Sequence, residues 1–236
     1  LPKSDEIFLV PIALDDFAYK VSGDLSNINF IRTKDYDPEF KKELYFISIA
    51  HEIFRYSLNE SFSAKKLGEE TAIKIFLSHT KCGSSGSKIA QKLKDFIDNS
   101  PMGNFFDSTD IAPSYRFDNE IIGNIKKSTI IAIHSDPYSS RYWCQREILC
   151  AKENNRPIIA VDCLEEFEDR RFPFSSNIPS VHINFNGELK KNDLLRILCA
   201  TMLETLRFFY SKLLLEERKQ SGDIPHNRVG WGEERT

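Results

Sequence analysis

The sequence predicts an α/β domain built on a parallel, doubly wound sheet, and three observations carry that prediction. From Thr71 to about Tyr210, short runs rich in β-branched and aromatic residues alternate with stretches of helical apolar spacing. The short runs are mainly apolar rather than strictly alternating, as strands covered on both faces are. Each gives way to a turn or polar loop and then to a helix, the order that places helices on both sides of a parallel sheet.

The elements follow in order. Ile73-Lys74-Ile75-Phe76-Leu77-Ser78 reads as a buried strand, followed by a Gly/Ser turn at Gly83-Ser84-Ser85-Gly86-Ser87 and a helix marked by Ile89, Leu93, Phe96 and Ile97. Phe105-Phe106-Asp107 is a short second strand, and Phe117, Ile121, Ile122 and Ile125 mark the next helix. Thr129 to Ile133 is the third strand, Trp143 to Glu153 a helix, and Pro157 to Val161 the fourth strand. A long apolar helix from Asn192 to about Glu217, carrying Leu195, Leu198, Met202, Leu206, Phe209 and Leu213, closes the unit.

Residues 1–60 look like the end of such a domain rather than its start. Val10-Pro11-Ile12-Ala13-Leu14-Asp15 is similar to Arg156-Pro157-Ile158-Ile159-Ala160-Val161-Asp162, and Ser26-Asn27-Ile28 to Ser176-Asn177-Ile178. Leu44, Ile47 and Ala50 each stand 150 positions before Leu194, Ile197 and Ala200. The expectation is a repeat, with 1–60 as the C-terminal half of a preceding, related α/β unit, 61–70 as a polar linker, 71–217 as the main domain and 218–236 as a linker or tail. Two common strand-turn-helix units of chance similarity would give the same pattern. The chain opens on Leu1 rather than Met, which fits a segment cut from a longer protein.

Composition narrows the partners. Lys and Arg number 32 against 35 Asp and Glu, a formal charge of −3, so nothing points to nucleic acid or an anionic membrane surface. No apolar run reaches the roughly 18 residues that a membrane span needs, and the N-terminus is not a signal peptide. The five cysteines, Cys82, Cys144, Cys150, Cys163 and Cys199, form no C-x-x-C pair, so a reducing cytoplasmic setting is expected and a zinc site is not. The five histidines, at 51, 79, 134, 182 and 226, fall at no ligand spacing.

Three segments could carry chemistry, because ligands of open parallel sheets bind beyond the carboxyl ends of the strands. Ser78-His79-Thr80 and the Gly/Ser turn could accept a phosphate at a helix N-terminus, yet they lack the spacing of a P-loop or a dinucleotide fingerprint; a capped flexible loop fits equally. Asp107 to Phe117 runs from a strand through Asp110 and Pro113-Ser114 into a helix. Trp143 and Glu147 stand four apart on one helical face, an aromatic platform beside a carboxylate. Spacing alone favours Trp143 in the core and Glu147 in solvent.

Together these segments resemble the Toll/interleukin-1 receptor (TIR) domain family. Ile75-Phe76-Leu77-Ser78-His79, Phe106-Asp107-x-x-Asp110-Ile111, Ile130-Ile131-Ala132-Ile133-His134-Ser135, Ser140-Arg141-Tyr142-Trp143-Cys144-x-x-Glu147 and Arg156-Pro157-Ile158-Ile159 occur in the family's order and spacing, over roughly residues 72–210. The resemblance implies a flavodoxin-like, doubly wound parallel sheet. Many members carry Pro-Gly in the loop after the second strand, where this chain has Pro113-Ser114. The family includes NAD+ nucleosidases whose catalytic glutamate corresponds to Glu147. By the same resemblance His79, Thr80, Ser114, Arg116 and Trp143 would line the pocket for NAD+, which is a substrate, with no cofactor or metal. Self-association through TIR-TIR contacts, in a defence protein of the cytoplasm, is the further implication. A non-catalytic interaction module is the alternative, and an apolar residue at 147 would have favoured it.

Overall fold

The computed structural model describes residues 9–20, 30–61, 72–81, 85–104, 106–109, 117–168 and 177–222. Two compact units divide the chain, Leu1–Glu69 and Glu70–Thr236. The 62–70 stretch of the expected linker, the 223–236 stretch of the expected tail, Ser26-Asn27-Ile28 and Ser176 lie outside the described residues.

In the first unit, β1 (Ile12–Ala13) pairs in parallel with β2 (Ile31–Arg32), Ile12 opposite Ile31, and a helix α1 (Lys41–Ser61) follows. Asp37 accepts a hydrogen bond from the Glu39 amide at 3.1 Å in the turn that leads into α1, and Pro38 supplies a preset φ there. Ala13 and Ile47 are fully buried, and Phe40, Ala50 and Phe54 nearly so. Thr33, buried among them, donates its hydroxyl to the Ala13 carbonyl at 3.0 Å.

The second unit is a five-stranded, all-parallel sheet in the order β4-β3-β5-β6-β7: β3 (Ile73–Ser78), β4 (Phe106–Thr109), β5 (Thr129–His134), β6 (Ile158–Asp162) and β7 (Ser180–His182). Helices α2 (Ser85–Asp98), α3 (Phe117–Ile125), α4 (Tyr142–Glu153) and α5 (Lys191–Gln220) alternate with them. The chain steps from β3 outward to β4 through α2, then back past β3 to β5 through α3. Right-handed crossovers in opposite directions put α2 and α3 on opposite faces, which is what makes the sheet doubly wound. The face under α3 and α4 buries Phe76, Ile130, Ala132, Ile158 and Ala160 against Ile121, Ile125, Cys144 and Ile148. On the other face the Thr129 hydroxyl meets that of Thr205 from α5 at 2.9 Å.

Several local expectations need revision. Helix α2 starts at Ser85, so Ser85-Gly86-Ser87 form its first turn rather than a loop, while Gly83 and Ser84 lie outside the described residues. Strand β4 extends to Thr109, two residues past Asp107, because it pairs with β3 as far as Phe76. Helix α5 runs to Gln220, with Arg218 and Lys219 in its last turn where cations complement the helix dipole. Strand β7 was not anticipated: at three residues with burial on Val181 alone it presents no apolar run.

Candidate active site

The switch in winding direction falls between β3 and β5, and the residues that end those strands meet there. Ser78 is the last residue of β3 and is 1% exposed; its side chain turns to the α4 face. On α4 the buried positions are Cys144, Glu147, Ile148, Cys150 and Ala151. Cys144, Glu147, Ile148 and Ala151 follow the i, i+3, i+4, i+7 spacing of a core-facing stripe, so Glu147 is carried into the interior by its neighbours. The arrangement that spacing alone favours for the Trp-x-x-x-Glu pair is thus inverted: Glu147 is 9% exposed and Trp143 38%.

A chain of hydrogen bonds holds the carboxyl. Ser78 Oγ donates to Glu147 Oε2 at 2.5 Å, and the Tyr138 hydroxyl lies 2.6 Å from the same Ser78 Oγ. Tyr138 comes from the 3-10 turn Tyr138–Ser140 after β5 and is fully buried. Burial pushes the Glu147 carboxyl up to about 7, with the Ser78 hydrogen bond and the Lys81 ammonium acting the other way. Cys144, one turn before it, is pushed up to about 12 by burial and then by the Glu147 charge, so it stays a thiol.

The surroundings of the carboxyl are tight. Glu147 shares a narrow cleft with Ile121, Ile122, Ile125, Trp143 and Arg146, and its free volume is only about 10 Å³, barely one water. The Arg146 guanidinium covers the Trp143 ring at 5.3 Å, and Tyr142 packs edge-on against it at 5.4 Å. Larger hollows flank the strand ends. One of about 310 Å³ is lined by Leu77, His79, Lys81, Ser87, Gln91 and Lys94, and one of about 390 Å³ by Ser85, Lys88, Asp136, Glu165 and Phe185 among others.

Of the residues expected to line a pocket, His79 borders the 310 Å³ hollow, with Nδ1 3.2 Å from the Thr80 carbonyl. Thr80 is buried and its hydroxyl meets that of Ser135 at 3.3 Å, tying β3 to β5 at the switch. Gly86 of α2 packs so close that a Cβ there would stand 3.0 Å from Ser135 Oγ. Ser114 and Arg116 lie outside the described residues, with Asp110 and Pro113. Sequence reasoning missed Tyr138 as part of the site; a Tyr beside a Ser-rich turn at the end of a buried strand was the available signal.

The family model for the TIR domain matches residues 75–198, just over half of the 236 residues. The chain belongs to the TIR domain family. Members of this family commonly self-associate, and some are NAD+-cleaving enzymes. No curated protein matches the chain. One solved structure, described as "Crystal structure of an hypothetical protein", shares 13% identity over 80% of this chain and 97% of its own, at a TM-score of 0.31. That likeness is too slight to support an argument. Among the described residues no helix is long and apolar enough to cross a membrane, and no three His, Cys, Asp or Glu side chains gather as a metal site.

Proposed function

We propose that this TIR domain cleaves the bond between nicotinamide and ribose in NAD+, with Glu147 as the catalytic group. The observation that carries this reading is a carboxyl poised to ionise near neutrality in a dry site at the carboxyl end of the sheet. The C1′–N bond breaks with its electron pair leaving on nicotinamide, which quenches the pyridinium charge and needs no acid. The ribose becomes an oxocarbenium-like cation, and an ionised Glu147 in low dielectric stabilises it. Water then adds to C1′ and loses a proton to give ADP-ribose; an internal nucleophile in its place gives a cyclic isomer. The cationic hollow at His79, Lys81 and Lys94 suits the pyrophosphate, and Trp143, Thr80, Ser114 and Arg116 are assigned to substrate binding on the family resemblance.

The cleft beside Glu147 is too small for a nucleoside, so substrate entry requires Trp143 and Arg146 to move. We take self-assembly in a cytoplasmic defence protein as the event that drives this. The same tightness favours a second reading, an interaction module that signals by homotypic contact without chemistry. The first unit, on the same reading, is the closing half of a related domain. Its β1, β2 and α1 repeat the order of β6, β7 and α5, and α1 starts at Lys41, 150 positions before Lys191 of α5.

Incubating concentrated protein with NAD+ and following nicotinamide separates the two. Glu147→Ala is expected to lower release by two to four orders of magnitude, the range for losing a positioned charged group. Equal release from both proteins removes Glu147 from catalysis; none from either, under conditions that force assembly, favours the interaction module.

A further inference from the structure

We propose that Tyr138 and Ser78 form a proton-ordered relay that positions the Glu147 carboxylate and sets the pH at which it is available. Neither residue touches the reacting carbon, so both are positioning residues; the inference rests on the reading of Glu147 given above.

The case begins with proton counting. A serine hydroxyl has one proton to give, and at 2.5 Å its contact with Glu147 Oε2 has the length of a hydrogen bond to an ionised acceptor. When Glu147 is ionised, that proton is committed to Oε2. The 2.6 Å contact between Ser78 Oγ and the Tyr138 hydroxyl then has a single consistent direction, with the phenol donating. A phenol that itself ionised would break the relay. Tyr138 is fully buried, and burial, followed by the charges of Cys144 and Glu147, holds its hydroxyl well above the usual phenol range. It therefore remains a donor wherever the carboxylate exists.

Three elements supply the three groups: β3 gives Ser78, the turn after β5 gives Tyr138, and α4 gives Glu147. None can leave its place without unpacking a core element. The relay engages Oε2 of Glu147, and on the same reading Oε1 is the oxygen assigned to the substrate cation. Other ionisable groups facing the carboxyl are Lys81 after β3, and Cys144, Arg146 and Cys150 on α4; the described α3 side chains that line the cleft, Ile121, Ile122 and Ile125, are apolar. The Lys81 ammonium also favours the ionised form, but it is exposed, so the relay is the buried stabiliser of that charge.

Removing the Tyr138 hydroxyl weakens the Ser78 donor, since linked hydrogen bonds polarise one another, and removing the Ser78 hydroxyl takes the donor away. Both changes move carboxyl ionisation to higher pH. The test uses the full chain with 13C-labelled glutamate, titrating the Glu147 carboxyl by NMR and assigning it by its loss in Glu147→Gln. Tyr138→Phe is expected to raise its midpoint by roughly half a pH unit and Ser78→Ala by roughly one, while Ser78→Thr, which keeps the hydroxyl, stays near wild type. The acid limb of nicotinamide release should move with it.

Unmoved midpoints in a folded Tyr138→Phe protein overturn the relay. If Ser78→Ala does not fold, Tyr138→Phe against wild type still decides it. If no protein, wild type included, releases nicotinamide, the enzyme reading falls while the titration still judges the relay.

Discussion

In the first unit a parallel strand pair, Ile12–Ala13 with Ile31–Arg32, leads to a helix from Lys41; in the second, Ile158–Asp162 with Ser180–His182 leads to one from Lys191. The two helices bury matching positions, Ile47 with Ile197, Ser48 with Leu198 and His51 with Thr201, each pair 150 apart. They also treat buried hydroxyls alike: Ser48 donates to the Leu44 carbonyl and Thr201 to that of Ile197, each one turn back. Among the described residues of the first unit no element corresponds to β3, the turn after β5 or α4, the three elements that hold Ser78, Tyr138 and Glu147 in the second. The first unit buries neutral hydroxyls satisfied by backbone carbonyls, Thr33 and Ser48 among them. The second unit buries an acid.

The largest expected effect comes from truncating matched core residues. Ile197 and Ile47 are both fully buried, and replacing either by Ala should cost about 2–5 kcal/mol. Ile197→Ala should speed amide hydrogen exchange across β5 and β6 and, on the proposed activity, lower nicotinamide release near the melting temperature. Ile47→Ala should speed exchange in α1 and leave β5 and the release rate as in wild type. Equal loosening of β5 by both substitutions would mean that the two units unfold as one, and the comparison between them would fail.

A smaller effect follows from the buried acid. In the unfolded chain a Glu carboxyl loses its proton near 4.5, and in the folded protein Glu147 keeps it up to about 7. Between those values the folded state binds more protons, so stability falls as pH rises, by up to about 1.4 kcal/mol per pH unit. The contribution is fully present below 4.5 and lost by the time pH has passed about 7. Glu147→Gln removes this slope. Thermal melts of both proteins from pH 4 to 8 measure it, and parallel curves would show that burial does not govern the carboxyl.

Much of the second unit was legible because its strands and helices are long and strictly patterned. Ile130 to Ile133 admits no reading but a covered strand, and residues 75–198 carry the family's motifs in order. The spacing of Trp143 and Glu147 by itself favours Glu147 in solvent, whereas the stripe of Cys144, Ile148 and Ala151 places position 147 inside. Tyr138 gave only a faint local signal as a site residue, for a different reason. Its partner Ser78 lies 60 positions away, and only the parallel pairing of β3 with β5 brings them together. Strand β7 is too short to show a period at all.

The smallest effect probes how closely the switch point is packed, using two helical glycines. Gly123 in α3 is exposed, and an added Cβ meets nothing within 4 Å. Gly123→Ala should therefore stabilise by up to about 1 kcal/mol, the difference in helix propensity. Gly86 in α2 gains the same propensity, but its Cβ would stand 3.0 Å from Ser135 Oγ and 3.3 Å from Thr80 Oγ1, two buried hydroxyls that bond each other. Parting them costs about as much as the helix gains, so Gly86→Ala should leave stability nearly unchanged while shifting the NMR signals of Thr80 and His79. A full propensity gain at Gly86 would show that the crevice between β3 and β5 can give way. The close packing argued for the switch point would then rest on Glu147 and its relay alone.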